Sequence, residues 1–452
     1  MKRRFLWMAS ALALAGCAGE PEPRVPSVEL PAQWRHAAPG EADAVDADWW
    51  RRFGSAELDA LVERARRDSY DIQAAEARLR QARAAATVAG AALLPTVDGV
   101  MRAARQDGPG DAYHDYRVGL EASYEVDFWG RNRALRDAAG QQFRASRFDL
   151  DTLRLSLTAA VATAWLERAG LGERLRIAEL DLASAERVLA TLQSRESAGA
   201  AMPLELAQQR ALVAGQRVAV ASLRQQANES EVALGVLLGV APQSLQLSGV
   251  LPDDLAGPRI DSGMPAQLLG RRPDIARAEA QLAAADADLD AARAALFPRV
   301  TLGAGSGFAS NHVGDLLNSP LHELSAALLA PIFDGGRLSA LRDLSAARRT
   351  ELLADYRQSI VVALAEVESG LNAVSGFDAR LQAQAEQVRQ ARLAFELADS
   401  RYRAGAENLL TLLDAQRTLY AAQDLQAALR QARLQASVAL YKALGGGWKE
   451  EG

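Results

Sequence analysis

The chain has 452 residues, 24% of them charged, and a formal net charge of −6 at pH 7, which becomes −9 once three basic residues leave with a leader segment. That balance argues against nucleic acid as a partner, because phosphates call for a basic face. The single cysteine, Cys17, excludes any disulfide within the chain.

Residues 1–16 follow the plan of a secretory leader: Lys2, Arg3 and Arg4, an apolar run from Phe5 to Leu14, then small residues. Leu14-Ala15-Gly16-Cys17 is a bacterial lipobox, so Cys17 is the candidate lipidation site, with acyl chains of the palmitate kind on its thiol and on the new N-terminus. Several chains, at about 0.8 kcal/mol per buried methylene, anchor a protein stably where one does not. Position 18 is Ala rather than Asp, so nothing argues for retention at the inner membrane. Residues 17–48 carry Pro21, Pro23, Pro26, Pro31 and Pro39 without periodicity and read as an extended, lipidated tether. Beyond Cys17 the longest charge-free stretch, Val232 to Pro252, is broken by Gly239 and Pro242 and makes a poor spanning helix. Any crossing of a membrane then falls to strands.

The remainder is written twice. Asp71 and Asp274 open matching segments 203 residues apart, and Pro95 and Pro298 close them at the same offset. Arg131 and Arg337, Gly199 and Gly405, and Leu238 and Leu444 are each 206 apart. Two long units exclude a solenoid of short repeats. They divide the body into 49–250 and 251–448, with a tail at 449–452.

Each unit runs helix, hairpin, helix, helix. Helical patterning spans about 55–67, and Ser69 is placed to cap the next helix, which ends at Leu94-Pro95; its copy starts at Pro273. Then the period changes. Tyr116, Val118, Leu120, Ala122, Tyr124 and Val126 alternate with polar or small residues over 116–127, pairing with 96–105 in a first β-hairpin (about 96–127). The second (about 299–333) joins 299–309 to 321–333, with Leu324, Ala326, Leu328, Ala330 and Ile332 on one face. These lengths suit bilayer-crossing strands. Long helical hairpins follow at about 132–238 and 338–444, with heptad-like apolar spacing at Leu353, Tyr356, Ile360, Leu364, Val367 and Leu371 and with turns at Gly199 and Gly405. Four strands cannot close a barrel, and open edges are not tolerated in lipid, so copies must associate: two give eight strands, three give twelve.

The chain resembles the outer membrane factor family, the TolC-like efflux ducts, and most of all its lipoprotein branch of the OprM or NodT type. The resemblance is carried by Trp49-Trp50 with Phe53, the run from Leu268 to Ile275, Pro331 to Arg337, Tyr402 to Gly405, Leu412 to Arg417, and Leu440 to Trp448. It implies a mainly α fold with a small membrane β-barrel part: a homotrimer with a twelve-stranded barrel in the cell outer membrane and a long periplasmic α-barrel. Its implied partners are a periplasmic adaptor (membrane fusion) protein, an inner-membrane pump of the RND type and outer-membrane lipid, and its cargo is small toxic compounds or drugs. Ducts for protein secretion or metal efflux share this architecture, and a lipid-anchored coiled-coil scaffold that never spans is the rival of another class.

By the same resemblance, Leu410, Asp414 and Arg417, with Arg403 before the turn, match the periplasmic gate. A leucine ring on a three-fold axis excludes water and an aspartate ring concentrates charge; the alternative is an i,i+3 surface ion pair between Asp414 and Arg417. Gly199, Ala200, Gly405 and Ala406 match the tips that meet the adaptor, although Glu196 and Glu407 depart from the family pattern. Asp334-Gly335-Gly336-Arg337 lacks the spacing of a phosphate loop and reads as a strand-to-helix bend. His114, His312 and His322 lie in or beside the hairpin loops, but no metal-ligand cluster or catalytic set is legible, and no cofactor is expected.

Overall fold

A computed structural model describes residues 28–36, 45–106, 113–199, 201–249, 255, 257–258 and 260–450. Cys17, the leader and Ala200 lie outside the described residues. Residues from Pro31 onward form one unit. Within it the seven helices described are α1 (Ala56–Asp68), α2 (Tyr70–Ala91), α3 (Arg131–Ser197), α4 (Pro203–Leu237), α5 (Pro273–Ala294), α6 (Arg337–Arg403) and α7 (Leu409–Ala443). At 67 residues each, α3 and α6 reach about 100 Å.

The strands β1 (Thr96–Gln106), β2 (Tyr113–Val126), β3 (Arg299–Ser310) and β4 (Pro320–Leu329) form one antiparallel sheet in chain order. Thr96 faces Ser123 in the first hairpin and Arg299 faces Leu329 in the second, so the offsets of the duplication carry one register onto the other. Opposite residues share a face, and Met101, Val118, Phe308 and Pro320 define an apolar row continued by Val97, Leu120, Leu302, Leu324 and Leu328. On the other face lie Asp98, Arg102, Arg117, Glu121 and Glu323. Leu324 and Met101 are 87% and 86% exposed, which in water would be costly and in lipid is favourable. The second strand ends sooner than its alternation suggests. Pairing stops at Leu329 because β3 begins only after Pro298, leaving Ile332 and Phe333 unpaired and exposed.

Strand gives way to helix by the same device in both halves. Asp127 carboxylate oxygens accept from the backbone N–H of Asn132 and Arg133, and those of Asp334 from Gly336 and Leu338. Each satisfies first-turn donors and places negative charge at the positive end of a long helix. Ser69, by contrast, makes no side-chain cap, whereas Ser55 Oγ accepts from Leu58 N–H.

The main core binds the helices halfway along. Trp49, Trp50 and Phe53 pack with α1, with Leu157, Trp165 and Leu166 of α3, and with Leu434, Val438 and Tyr441 of α7. Trp49 stacks on Tyr441 at 5.0 Å, and Trp165 Nε1 donates to Glu57 at 2.7 Å. The proline-rich segment is not extended throughout: Trp34 is buried, donating to Gly263 O at 3.0 Å, and Glu368 accepts from Arg35 N–H. One helix, α6, is apolar enough over part of its length to cross a membrane by composition. Its Glu366 and Glu368 are bound by Arg272 and His36 at 2.6 and 2.5 Å, and Ile360, Val367 and Leu371 are buried in the protein. The rest of that apolar stretch is largely uncovered within the single chain, 22% of it being buried.

Candidate periplasmic end and sheet edges

The far ends of the two helical hairpins are turned by glycine. Gly199 and Gly405 have φ of +73° and +74°, a region that side chains with a Cβ enter at a cost of about 1–2 kcal/mol. Gly199 N–H donates to Glu196 O, Gly405 N–H to Tyr402 O and Ala406 N–H to Arg401 O, which closes the helix ends. The returning helices are capped differently. Glu205 accepts from Met202 N–H at 3.0 Å, and Asn408 Oδ1 accepts from Thr411 N–H at 2.9 Å. Glu407 is drawn back across the second turn by Arg401 at 3.7 Å. Among the described residues, chain neighbours apart, nothing lies within 4 Å of a Cβ built on either glycine.

Just above the tips one apolar cluster joins both hairpins: Leu192, Leu206 and Val213 from the first, Tyr402, Leu409, Leu412 and Leu413 from the second. The Arg195 guanidinium lies over the Tyr402 ring at 4.9 Å, a further tie between them. With Leu409, Leu412, Leu413 and Gln416 buried, the helical period turns Leu410, Asp414 and Arg417 to the opposite face, where all three are exposed. Among the described residues Asp414 and Arg417 make no ion pair with each other. Arg403, at the end of α6, pairs with Asp399 of the same helix at 2.8 Å. Sequence reasoning missed the Arg195–Tyr402 contact and the Arg401–Glu407 pair, since neither follows a helical spacing.

At the other end the sheet has two open edges, β1 and β4. The helices repeat the pattern: α5 of the second half packs on both α3 and α6, whereas its copy α2 packs on α3 and makes no comparable contact with α6. Every junction between halves is therefore made once in the chain, and its counterpart is left open.

The family model for outer membrane efflux proteins matches residues 61–240 and 264–446. The pyoverdine export outer membrane protein OpmQ of Pseudomonas aeruginosa is 47% identical over 98% of this chain and 97% of its own length. The toluene efflux pump outer membrane protein TtgF of Pseudomonas putida is 34% identical over 99% of this chain and 98% of its own. Among solved structures, the outer-membrane channel OprN superposes with a TM-score of 0.88 at 28% identity, covering 96% of this chain and all of that one.

Proposed function

The chain belongs to the outer membrane efflux protein family, and on that premise we propose that it works as a trimeric, lipid-anchored exit duct. The observation that carries this reading is the pair of open edges. Applying the duplication offsets to the β2–β3 register pairs Leu328 with Met101 of the next copy and Leu329 with Val100. The same operation sets α6 against α2 of that copy. The predicted strand pairs keep apolar residues on one face, with Leu328 beside Met101 and Leu324 four residues along the same strand. Three copies give twelve strands, enough to leave an aqueous interior where eight would be filled by side chains.

Cys17 supplies the lipid anchor. Leu410, Asp414 and Arg417 form the periplasmic gate, and the glycine tips at 198–201 and 404–407 receive a periplasmic adaptor that links the duct to an inner-membrane pump of the RND type. The duct itself is passive. Its cargo is a small excreted compound: the relative at 47% identity is a pyoverdine export protein and the one at 34% a toluene efflux protein, and selection between such molecules rests with the pump.

The test is a cysteine pair at Met101 and Leu328, made with Cys17 present and with each single-cysteine control. Within one chain these residues sit on strands about 14 Å apart, three strand spacings, beyond disulfide reach. Oxidation of the outer-membrane protein should give dimers and trimers on a non-reducing gel in the double variant alone. A ladder that stops at dimer would favour eight strands, and monomer only would remove the ring.

A further inference from the structure

Each helical hairpin is held together by apolar packing; the two are joined to one another by the apolar cluster just above the tips and, farther along, by polar groups. Leu171, Val220 and Leu223 join α3 to α4, and Val388, Leu419 and Ala422 join α6 to α7. Along the α3/α7 seam, Arg174 donates to both carboxylate oxygens of Asp424 at 2.7 and 3.0 Å. Arg430 pairs with Glu173 at 3.5 Å, Gln435 donates to Thr163 O at 3.3 Å, and the Tyr420 hydroxyl shares a hydrogen bond with Ser184. An apolar zipper resists separation at any pH, while a seam of ion pairs and hydrogen bonds has a strength set by protonation.

Asp181 lies on this seam between the Arg174–Asp424 and Ser184–Tyr420 rungs, only 8% exposed, two helical turns past Arg174. Burial first, and then the charge of Asp424, push its carboxyl up to about 7. The surrounding charges do not rescue it. Arg174 is committed to Asp424, and Arg187 acts on Tyr420. From α4, Arg224 and Arg217 are engaged by Glu179 and Glu186 on the solvent side. From α6 this level receives the uncharged Gln384, which donates to Ala422 O.

We propose that Asp181 is the proton-controlled element of a latch between the two helical hairpins. Neutral, it lets the α3/α7 seam close; ionised, it repels Asp424 and loosens the seam. The sign follows from linkage. The closed seam holds the proton more tightly than parted helices would, so closure gains strength as pH falls from about 7 toward the ordinary carboxylate range, by up to about tenfold in the closed-to-parted ratio per pH unit. Above about 7 the repulsion is fully present and the ratio no longer changes.

The experiment places spin labels on the full chain at Gln193 of α3 and Thr418 of α7, both exposed, and follows their separation from pH 5 to 8. The wild-type residue should give a parted fraction that rises with pH and levels near 7. Asp181→Asn should give a flat profile at the closed distance. Asp424→Asn, which leaves Asp181 in place, should shift the midpoint downward, because it removes a repelling charge and frees Arg174. An Asp181→Asn profile that tracks the wild type, or a midpoint unmoved by Asp424→Asn, overturns the latch. Helix separation is read without conductance, so failure here is distinct from failure of the duct or its gate.

Discussion

Replacing Arg272 should be the most damaging single polar substitution in the helical body. Its side chain is 9% exposed and bonds Asp274 at 2.7 Å, Glu366 at 2.6 Å and Ala443 O at 3.1 Å, tying α5 to α6 and to the end of α7. Breaking a buried ion pair from one side costs about 3–5 kcal/mol, because the partner is left buried and uncompensated. Glu366 is 49% exposed and can rehydrate, so the loss falls mainly on Asp274 and on the Ala443 carbonyl. An estimate near the lower end, about 3 kcal/mol, follows. Arg272→Met retains most of the stem's packing and isolates the charge. Burial works to raise the Asp274 carboxyl, but the Arg272 hydrogen bonds and charge outweigh it and hold the carboxyl below the usual range. The stabilisation is therefore present above the ordinary aspartate range and is lost as pH falls through the lowered folded value. Urea titrations followed by circular dichroism, at neutral pH and at successively lower pH, should show wild type and Arg272→Met converging on the acid side. A variant within about 0.5 kcal/mol of wild type at neutral pH, or a gap that does not close with acid, would refute the reasoning.

Three further outcomes follow from the same geometry. Asp414→Ala or Arg417→Ala should raise single-channel conductance in planar bilayers, since both side chains stand on the exposed stripe of α7; unchanged conductance in both would remove them from the gate. Gly405→Ala should cost about 1–2 kcal/mol through backbone strain alone, as no atom crowds its Cβ. Gly445→Ala should cost more in the same thermal melt, because φ is +88° and the new Cβ would meet Arg271 O at 1.9 Å; equal losses would show that contact to be relaxed away.

The long-range order of this fold was legible because duplication is a pattern of sequence. The strand and helix spans followed from alternation and heptad spacing, and the turns at Gly199 and Gly405 from a residue that alone enters positive φ freely. What escaped were pairings with no fixed spacing. Asp127 and Asp334 each reach around a bend to a helix start, and Trp34 finds Gly263 across more than 200 residues. Ser69 illustrates the opposite error: the residue type suits a cap, but its side chain makes no cap bond to the helix it precedes. For the gate, the family resemblance named Leu410, Asp414, Arg417 and Arg403; the first three share an exposed face of α7, while Arg403 pairs with Asp399 one turn back on α6.

Where the two halves differ is as informative as where they agree. Under the 206-residue offset Asp181 corresponds to Gln387 and Asp424 to Val218, while Asp414 and Arg417 correspond to Gln208 and Ala211. In a ring of three copies the α3/α7 seam within each chain alternates with a seam between α6 of one chain and α4 of the next. The first carries the carboxylates; the second carries Gln387 and Val218, which is 70% exposed in the single chain as a surface awaiting a neighbour would be. The carboxylates Asp181 and Asp424 thus stand in one seam type and not in the other, whereas the arginines recur: Arg174 corresponds to Arg380 and Arg430 to Arg224. A proton-sensitive separation through Asp181 would act at three seams of the six, leaving the other three to hold the ring closed while the hairpins move.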